Sequence, residues 1–287
     1  MKDLHKFSEL KMEFQNTLAE SLGEREARSV FRLICEYVLQ KSDAQLLLVD
    51  SIDPEQYSRI STCVNRVSDG EPVQYVLGCA HFYGRVFLVD KRVLIPRSET
   101  EELAKWIIES VRDKKQSILE IGTGSGCIAI TLDLELENSM ITAIDVSDDA
   151  LNVAKSNRRQ LESNVVFDLI DVFNDQKMNE LQSSWDLIVS NPPYVPANEK
   201  TFLPKNVVDH EPHIALFSGE DTLHYYRRIC ALSENALNRG GALYFEIHED
   251  HAESIKDLMR SHGFSSIEIK RDIHGRNRMI RGIMNRK

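Results

Sequence analysis

The chain has 287 residues, of which 42% are hydrophobic and 28% charged, with a formal net charge of -10 and a pI near 5.4. This length allows one large domain or two unequal ones, with a core that needs no metal or disulfide to fold. The acidic balance disfavours sequence-independent binding to a phosphate backbone, and no apolar run approaches the about 20 residues of a membrane span.

The cysteine pattern and the N-terminal segment are both typical of a cytoplasmic protein. The five cysteines are scattered and form no Cys-x-x-Cys pair, so neither a zinc ribbon nor a disulfide framework is indicated. The segment from Met1 to Ala19 is charged and polar, without a signal-peptide pattern. We therefore expect a cytoplasmic monomer that binds neither a membrane nor, directly, nucleic acid.

The N-terminal part of the chain is predicted to be helical. Apolar residues recur at intervals of three and four between Leu18 and Leu39, as on one face of a helix. Residues 24–40 contain strong helix formers and no Gly or Pro, and Asp53-Pro54 is typical of a helix start. We predict a small helical bundle over residues 1–80.

A β pattern replaces the helical one after the bundle. Apolar residues between His81 and Ile95, with Gly84 as a turn candidate, predict a β-hairpin, and we assign residues 81–97 to a linker. Ser98 and Glu101 match a capping box, with Ser at the N-cap and Glu at the third helical position. A helix to about residue 112 should follow.

Strands and helices alternate from Gln116 onward, which predicts an α/β domain over residues 98–287. The seven predicted strands are residues 117–121, 140–145, 165–168, 186–190, 242–247, 265–270 and 278–283. The main predicted helices between them are residues 127–134, 147–161, 223–238 and 250–262. The last two strands leave no room for a helix, so they should form a final antiparallel hairpin in a mostly parallel sheet.

A glycine-rich turn, Gly122-Thr123-Gly124-Ser125-Gly126, follows the first predicted strand. Glycines let the backbone turn sharply and let a ligand approach closely. Asp145 ends the next strand, 145 − 122 = 23 positions after Gly122, about where a carboxylate that accepts both ribose hydroxyls is expected. The pattern predicts a nucleoside-containing cofactor.

Two features separate this loop from a nicotinamide dinucleotide site. The spacing is Gly-x-Gly-x-Gly, not Gly-x-Gly-x-x-Gly, and Glu120 places a carboxylate two positions before the first glycine. A carboxylate there suits a cofactor with a positive end and no pyrophosphate, such as S-adenosylmethionine. Asp171 and Val172, after the third strand, could bind the adenine amine and pack on its ring, although a solvated loop is an equally good interpretation of Asp171.

The sequence Asn191-Pro192-Pro193-Tyr194 follows the fourth predicted strand, at the edge where open α/β sheets bind ligands. The Asn191 side-chain oxygen and the Pro192 carbonyl can each accept an N–H bond from a planar NH2 group and orient its nitrogen. The prolines fix the backbone, and Tyr194 offers a flat face. We predict methylation of an amide or amine nitrogen, with all four residues binding substrate and Asn191, Pro192 and Tyr194 as catalytic residues.

Two other types of site are disfavoured. His210 and His213 are spaced i, i+3 around Pro212, unlike the i, i+4 histidine pair of a zinc site, so no metal is predicted and a loop near the mouth of the site is favoured. The serines lack the Gly-x-Ser-x-Gly elbow of a hydrolase.

The ordered set of motifs resembles the protein-(glutamine-N5) methyltransferases that modify peptide-chain release factors. The resemblance covers nearly the whole chain and also includes residues 70–78, 94–101, 211–212 and 272–278. It implies a Rossmann-like S-adenosylmethionine-dependent methyltransferase fold and, as substrate, the Gln of the Gly-Gly-Gln motif of class I release factors, gripped with the help of the helical bundle. By residue matching it implies that residues 122–126, Asp145, Val172 and Asn191 contact the cofactor and residues 191–194 the glutamine amide.

Two alternative substrates use the same chemistry, since the Asn191 motif serves any planar NH2 group. Methylation of adenine N6 in nucleic acid is disfavoured by the net charge and by the absence of a large insertion. Methylation of a ribosomal-protein glutamine would need the same motif and stays open. A non-catalytic binding module is disfavoured because the glycine loop and Asn191 are both intact.

Overall fold

The structure is a computed structural model that describes residues 4–111, 114–181 and 184–285. The chain forms two compact units. The first runs through Cys79 and includes Pro204–His210, and the second consists of Ala80–Leu203 and the residues from Glu211 onward. In this described part of the chain, no helix combines the length and apolar character needed to cross a lipid bilayer.

The first unit is mainly helical. Its elements up to residue 77 are β1 (His5–Lys6), α1 (Phe7–Leu22), α2 (Glu24–Leu39), α3 (Asp43–Leu46), β2 (Ser51–Ile52), α4 (Pro54–Ser68) and α5 (Val73–Leu77). Leu18, Ile34 and Ile60, from the three long helices, are fully buried in one core. The antiparallel pair β1–β2 was not predicted, because strands of two residues are too short to show an alternating pattern.

The predicted helix start at Asp53-Pro54 is confirmed. The Asp53 Oδ1 accepts from the Gln56 backbone N–H at 2.8 Å, and the Gln56 Oε1 accepts from the Asp53 N–H at 3.1 Å. These two bonds form a capping box that satisfies two otherwise unpaired donors, and Pro54 occupies the first turn, where no N–H partner is needed.

The second unit begins with β3 (Cys79–Phe82, whose first residue belongs to the first unit) and β4 (Arg85–Leu88), which form a two-stranded sheet. Tyr83 and Gly84 make the turn, both with positive φ. The predicted hairpin is thus present, but its strands end at Leu88, short of Ile95.

The helix α6 (Ser98–Val111) starts one residue earlier than the capping box predicted. The Arg97 carbonyl accepts from the Glu101 N–H at 3.3 Å, and the Ser98 hydroxyl donates to the Glu99 carboxylate at 2.9 Å. Ser98 is therefore inside the first turn, and the predicted N-cap assignment is wrong.

The remaining elements include the strands of the main sheet, the strands β9 and β10 of a separate two-stranded parallel sheet, and α10 of the first unit. They are β5 (Ser117–Ile121), α7 (Cys127–Glu135), β6 (Met140–Asp145), α8 (Asp148–Gln160), β7 (Val166–Leu169), α9 (Asp175–Glu180), β8 (Trp185–Ser190), β9 (Val195–Pro196), a 3-10 helix (Ala197–Phe202), α10 (Lys205–His210, of the first unit), α11 (His213–Leu216), β10 (Phe217–Gly219), α12 (His224–Ala236), β11 (Leu237–Glu246), a 3-10 helix (Glu249–His251), α13 (Ala252–Ser261), β12 (Phe264–Arg271) and β13 (Asn277–Met284).

The main sheet has seven strands in the order β12-β13-β11-β8-β5-β6-β7. The five strands from β11 to β7 are parallel, whereas β13 is antiparallel to both of its neighbours. This arrangement confirms the predicted mostly parallel sheet with a final antiparallel hairpin. The predicted helix over residues 223–238 extended one residue too far at its N-terminal end and two at its C-terminal end, where Leu237 already pairs with Trp185 of β8.

Both faces of the sheet are buried. In β5, Ile118 belongs to one hydrophobic cluster, whereas Leu119 and Ile121 belong to another. In β8, Leu187 and Ile188 divide between the same two clusters. This alternation follows from the two-residue period of a strand, and burial on both faces is typical of parallel sheets covered by crossover helices.

Candidate active site

The two predicted motifs meet at one edge of the sheet. The strands β5 and β8 are neighbours. The next strands of the sheet lie on opposite sides of this pair, β6 beside β5 and β11 beside β8. In open α/β sheets, ligands bind beside the carboxyl ends of the strands at this kind of switch point. Because Ile121 pairs with Ser190, the glycine loop and the segment starting at Asn191 leave the sheet side by side.

A cavity of about 330 Å³ lies at this edge, within the size range of small-molecule sites. The predicted cofactor residues that line it are Glu120, Gly122, Thr123, Gly124, Ser125, Asp145, Asp171 and Val172. The predicted substrate residues that line it are Asn191, Pro192 and Pro193. Gly126 and Tyr194 are outside the set of described residues that line this cavity, so both are set back from it.

The glycine loop is fastened to the end of β6. The Gly122 and Thr123 N–H groups donate to the Ile144 carbonyl at 2.9 and 3.1 Å, and the Gly124 N–H donates to the Asp145 Oδ2 at 2.8 Å. Gly122 and Gly124 have φ values of 77° and 55°, which residues with a Cβ rarely adopt. The loop is thereby held open as a backbone cradle.

Gly126, at the N-cap of α7, has a packing role. Its φ is +81°, and a Cβ there would lie 3.1 Å from both the Ile130 and the Phe167 side chains. Gly240 has nearly the same φ, +82°, but nothing within 4 Å of such a Cβ. At both positions a residue with a Cβ would be strained in its backbone, but only at Gly126 would the Cβ also be crowded by neighbouring side chains.

We expect Gly126→Ala to lower the free energy of unfolding by more than Gly240→Ala. The left-handed backbone alone costs roughly 1–2 kcal/mol with a Cβ, and overpacking adds on the order of 1–3 kcal/mol. Urea denaturation of the two variants and the wild type measures the difference. Equal losses of stability would show that the core around Phe167 relaxes freely.

Asp145 holds the glycine loop in place and can still accept hydrogen bonds from a ligand. Its Oδ2 accepts from Gly124 and its Oδ1 accepts from the Ser147 N–H at 2.9 Å. Each carboxylate oxygen has a second lone pair, so two further donors can bind. Burial raises the pKa of this carboxyl, while the backbone bonds oppose the shift.

Glu120 is a buried carboxyl in the wall of the cavity. Its Oε2 accepts from the Thr123 hydroxyl at 2.5 Å and from the Ala129 N–H at 3.1 Å. Burial raises its pKa to about 8, the charge of Asp145 adds to the shift, and the two hydrogen bonds oppose it. A cation near this carboxyl would therefore favour its ionised form.

The adenine-binding residues proposed from the sequence lie beside aromatic rings. Asp171 is exposed, and its Oδ1 accepts from the Phe173 N–H at 2.9 Å. Val172 is buried, and its carbonyl accepts from the Arg228 Nε at 2.7 Å. Both border the cavity together with Tyr225, and their contacts with adenine stay predictions.

The Asn191 side chain is tied to residues that the sequence did not single out. Its Nδ2 donates to the Thr100 Oγ1 at 3.3 Å, and the Thr100 hydroxyl donates to the Glu246 Oε2 at 2.6 Å. The Tyr194 hydroxyl donates to the Glu246 Oε1 at 3.3 Å. Thr100 and Glu246 are 3% and 1% exposed, so this network is buried.

One sequence signal could have revealed Glu246, because it is a carboxylate within a strand end that is otherwise apolar from Ala242 to Ile247. Buried charges of this kind need specific partners. Thr100 carried no comparable signal, since its place near a helix start explained it. The direct catalytic role predicted for Tyr194 stays a prediction, with its hydroxyl bound to Glu246 rather than lining the cavity.

The segment predicted as a loop at residues 210–213 is instead a short break between helices, with His210 ending α10 and His213 beginning α11. Glu211, buried in this break, accepts from the Arg97 Nη2 at 2.6 Å and from the Ile95 N–H at 3.3 Å. Arg97 and Pro212 both line the cavity, so this ion pair joins two parts of its wall.

Two family models match the chain. The methyltransferase small domain matches residues 99–214, and the PrmC N-terminal domain matches residues 9–78. A methyltransferase from Pyrococcus furiosus of known crystal structure has a TM-score of 0.53 at 16% identity, over 78% of this chain and 99% of that one. At this identity the likeness shows the fold alone, and it agrees with the methyltransferase fold expected from the sequence.

Curated relatives match over almost the full length. The release factor glutamine methyltransferase of Flavobacterium psychrophilum is 39% identical over 276 residues, which are 94% of this chain and 96% of the relative. The protein of the same name from Bacteroides thetaiotaomicron is 37% identical over 277 residues, 93% of this chain and 96% of the relative.

Proposed function

The chain belongs to the release factor glutamine methyltransferase family. We propose that it methylates N5 of the glutamine in the Gly-Gly-Gln motif of class I peptide-chain release factors, with S-adenosylmethionine as methyl donor. The observation that carries the proposal is that the glycine loop, Asp145 and Asn191 line one cavity. A donor-binding wall and an NH2-binding wall thus face the same space.

The residues of this cavity fit S-adenosylmethionine. Gly122 and Gly124 present a surface without side chains, Asp145 has free lone pairs for two ribose hydroxyls, and Glu120 offers a carboxyl to a positive group. When bound, S-adenosylmethionine supplies a methyl group on a sulfonium, so that transfer forms one C–N bond, breaks one C–S bond and releases one amide proton.

The Asn191 segment prepares the glutamine amide for attack. The lone pair of an amide nitrogen is delocalised into its carbonyl group and is a poor nucleophile. The Asn191 Oδ1 and the Pro192 carbonyl accept hydrogen bonds from the two N–H groups of the amide. They stabilise the charge that develops as the nitrogen becomes pyramidal. Pro192 and Pro193 fix φ at both positions, so the acceptors are in place before the substrate binds.

Glu120 predicts a proton release on cofactor binding. In the free protein its carboxyl is largely protonated below pH 8, and a bound cation lowers its pKa. Between the lowered value and about 8, binding releases up to about one proton, and affinity rises with pH by at most about tenfold per unit.

Calorimetric titration with S-adenosylmethionine at pH 7, in two buffers of different ionisation enthalpy, measures the released protons. Glu120→Gln is the matched control, since it keeps the shape of the side chain and cannot titrate. Identical buffer dependence in wild type and Glu120→Gln would remove Glu120 from the cofactor site.

We also propose that three parts of the chain have different roles. Residues 98–287 carry catalysis, residues 81–97 form the linker, and the helical residues 1–80 grip the release factor. The match of a separate family model to residues 9–78 and the compact helical unit through Cys79 support this assignment.

The finer properties of the enzyme are part of the same proposal. It acts as a monomer, which agrees with a cavity whose lining residues all belong to the second unit of the chain. It acts in the cytoplasm, where release factors work, and does not bind nucleic acid directly, which its net charge of -10 supports. Light scattering and a gel shift assay test the oligomeric state and nucleic-acid binding.

The substrate is tested by incubating the protein with labelled S-adenosylmethionine and full-length release factors. Mass spectrometry should place one added methyl group on the Gly-Gly-Gln glutamine. A release factor with that glutamine replaced by glutamate is the control and should remain unlabelled. Labelling of ribosomal proteins or of adenine-containing oligonucleotides instead would overturn the proposed substrate.

A further inference from the structure

A buried hydrogen-bond network adjoins the Asn191 side chain, and its Thr100 also lines the cavity. Glu246 ends β11 and accepts from two hydroxyl groups, that of Thr100 at 2.6 Å and that of Tyr194 at 3.3 Å. The Thr100 oxygen in turn accepts from the Asn191 Nδ2 at 3.3 Å. Three separate segments of the second unit, α6, β11 and the segment after β8, are joined in this way.

The direction of each bond in the network follows from donor chemistry. Both oxygens of Glu246 act as acceptors, Oε2 for Thr100 and Oε1 for Tyr194, so the single proton of the Thr100 hydroxyl points to Glu246. The Thr100 oxygen then offers only lone pairs to its other neighbour. That neighbour must be the NH2 end of the Asn191 amide, which leaves the Asn191 oxygen on the opposite side of the amide.

We propose that Thr100 and Glu246 are positioning residues that select the orientation of the Asn191 amide and so present its oxygen to the substrate NH2 group. This inference rests on the proposed function of Asn191. Without the network, the amide could rotate by 180° at little cost, since its two ends have nearly the same shape. The rotated amide would present a donor to a substrate group that needs an acceptor.

The surroundings of Glu246 act on its pKa in opposite directions, and the net effect is to raise it. Burial raises its pKa, and the negative charge of Glu99 acts in the same direction, whereas the Thr100 and Tyr194 hydroxyls and the positive charge of Arg278 lower it. Tyr194 thus acts on this network through its hydrogen bond to Glu246. A buried carboxylate that lost these donors would be costly, which couples the network to the folded site.

Thr100→Val and Thr100→Ser are a matched pair for the test. Valine keeps the shape of threonine and removes the hydroxyl, whereas serine keeps the hydroxyl and removes a methyl group. With a release factor as substrate, Thr100→Val should lower kcat by on the order of tenfold to a hundredfold, because the amide is presented in the wrong orientation for part of the time. Thr100→Ser should stay within about threefold of wild type.

Comparing kcat with the Kd for S-adenosylmethionine distinguishes a positioning role of Thr100 from a packing role. We expect Thr100→Val to change the Kd for S-adenosylmethionine far less than kcat, since the residue lines the cavity but its hydroxyl is bonded to Asn191 and Glu246. Glu246→Gln should reproduce the loss of kcat, because a glutamine NH2 can donate to Thr100 and turn its hydroxyl toward Asn191. The double variant should lose little more than either single one, as for residues of one network.

A second measurement needs no substrate. The Asn191 side-chain NH2 signals, identified by their absence in Asn191→Ala, should exchange slowly with solvent in wild type and Thr100→Ser and faster in Thr100→Val. Unchanged exchange together with unchanged kcat in Thr100→Val would overturn the proposal. Faster exchange in a protein that does not methylate release factors would instead refute the proposed substrate and leave the positioning of Asn191 supported.

Discussion

Replacing Asn191 with alanine is expected to lower kcat by on the order of a hundredfold or more, while binding of S-adenosylmethionine remains measurable. The substitution removes one of two rigid acceptors for the substrate NH2 group, and loss of one preorganised hydrogen-bonding partner costs roughly 10²–10³ in rate. The glycine loop and Asp145 do not depend on the Asn191 side chain for their bonds.

The experiment needs single-turnover rates at saturating cofactor and a calorimetric Kd for each variant. Asn152→Ala is a suitable control, because Asn152 is exposed on α8 and its side chain donates to the Asp148 carboxylate. A turnover number equal to wild type in Asn191→Ala would remove the mechanism proposed above. A complete loss of cofactor binding would instead assign Asn191 to the cofactor alone.

Replacing Asp145 with alanine is expected to weaken S-adenosylmethionine binding by roughly tenfold to a hundredfold or more. Each hydrogen bond to a charged acceptor contributes about 1.5–3 kcal/mol, and a factor of ten in affinity is about 1.4 kcal/mol. The substitution also leaves the Gly124 and Ser147 N–H groups without their partner, which loosens the loop.

Calorimetry with the purified variant tests this prediction directly. Asp149→Ala is the matched control, since it removes an exposed carboxylate from the first turn of α8, four positions away. Asp145→Asn keeps the size and one acceptor and should fall between wild type and Asp145→Ala. An unchanged Kd in Asp145→Ala would contradict the ribose assignment.

Local patterns predicted most of the sheet correctly. The strands that carry the site, β5 and β8, were predicted to within one residue at each end, because a run of apolar residues followed by glycines or prolines has few alternative conformations. The pairs β1–β2 and β9–β10 were missed, since strands of two or three residues have no period to detect. The helix α6 begins at Ser98, one residue before the predicted start, and the Glu101 N–H donates to the Arg97 carbonyl.

The residues of the two cavity walls could be identified from local sequence patterns. The glycine loop, Asp145 at a strand end and the acceptors of Asn191 and Pro192 are local features, since backbone φ preferences and strand ends are encoded within a few residues. Their convergence at one edge followed from the alternation of strands and helices.

The hydrogen-bond partners of the cavity residues come from distant parts of the sequence and could be identified only in the folded protein. Thr100 and Glu246 are 146 positions apart, and Arg97 and Glu211 are 114 apart, yet each pair shares a hydrogen bond of 2.6 Å. Such contacts depend on the order of strands in the sheet and on the register of each helix against it, and neither quantity has a local signature. The orientation of the Asn191 amide, which decides whether it accepts or donates, is set by those distant residues.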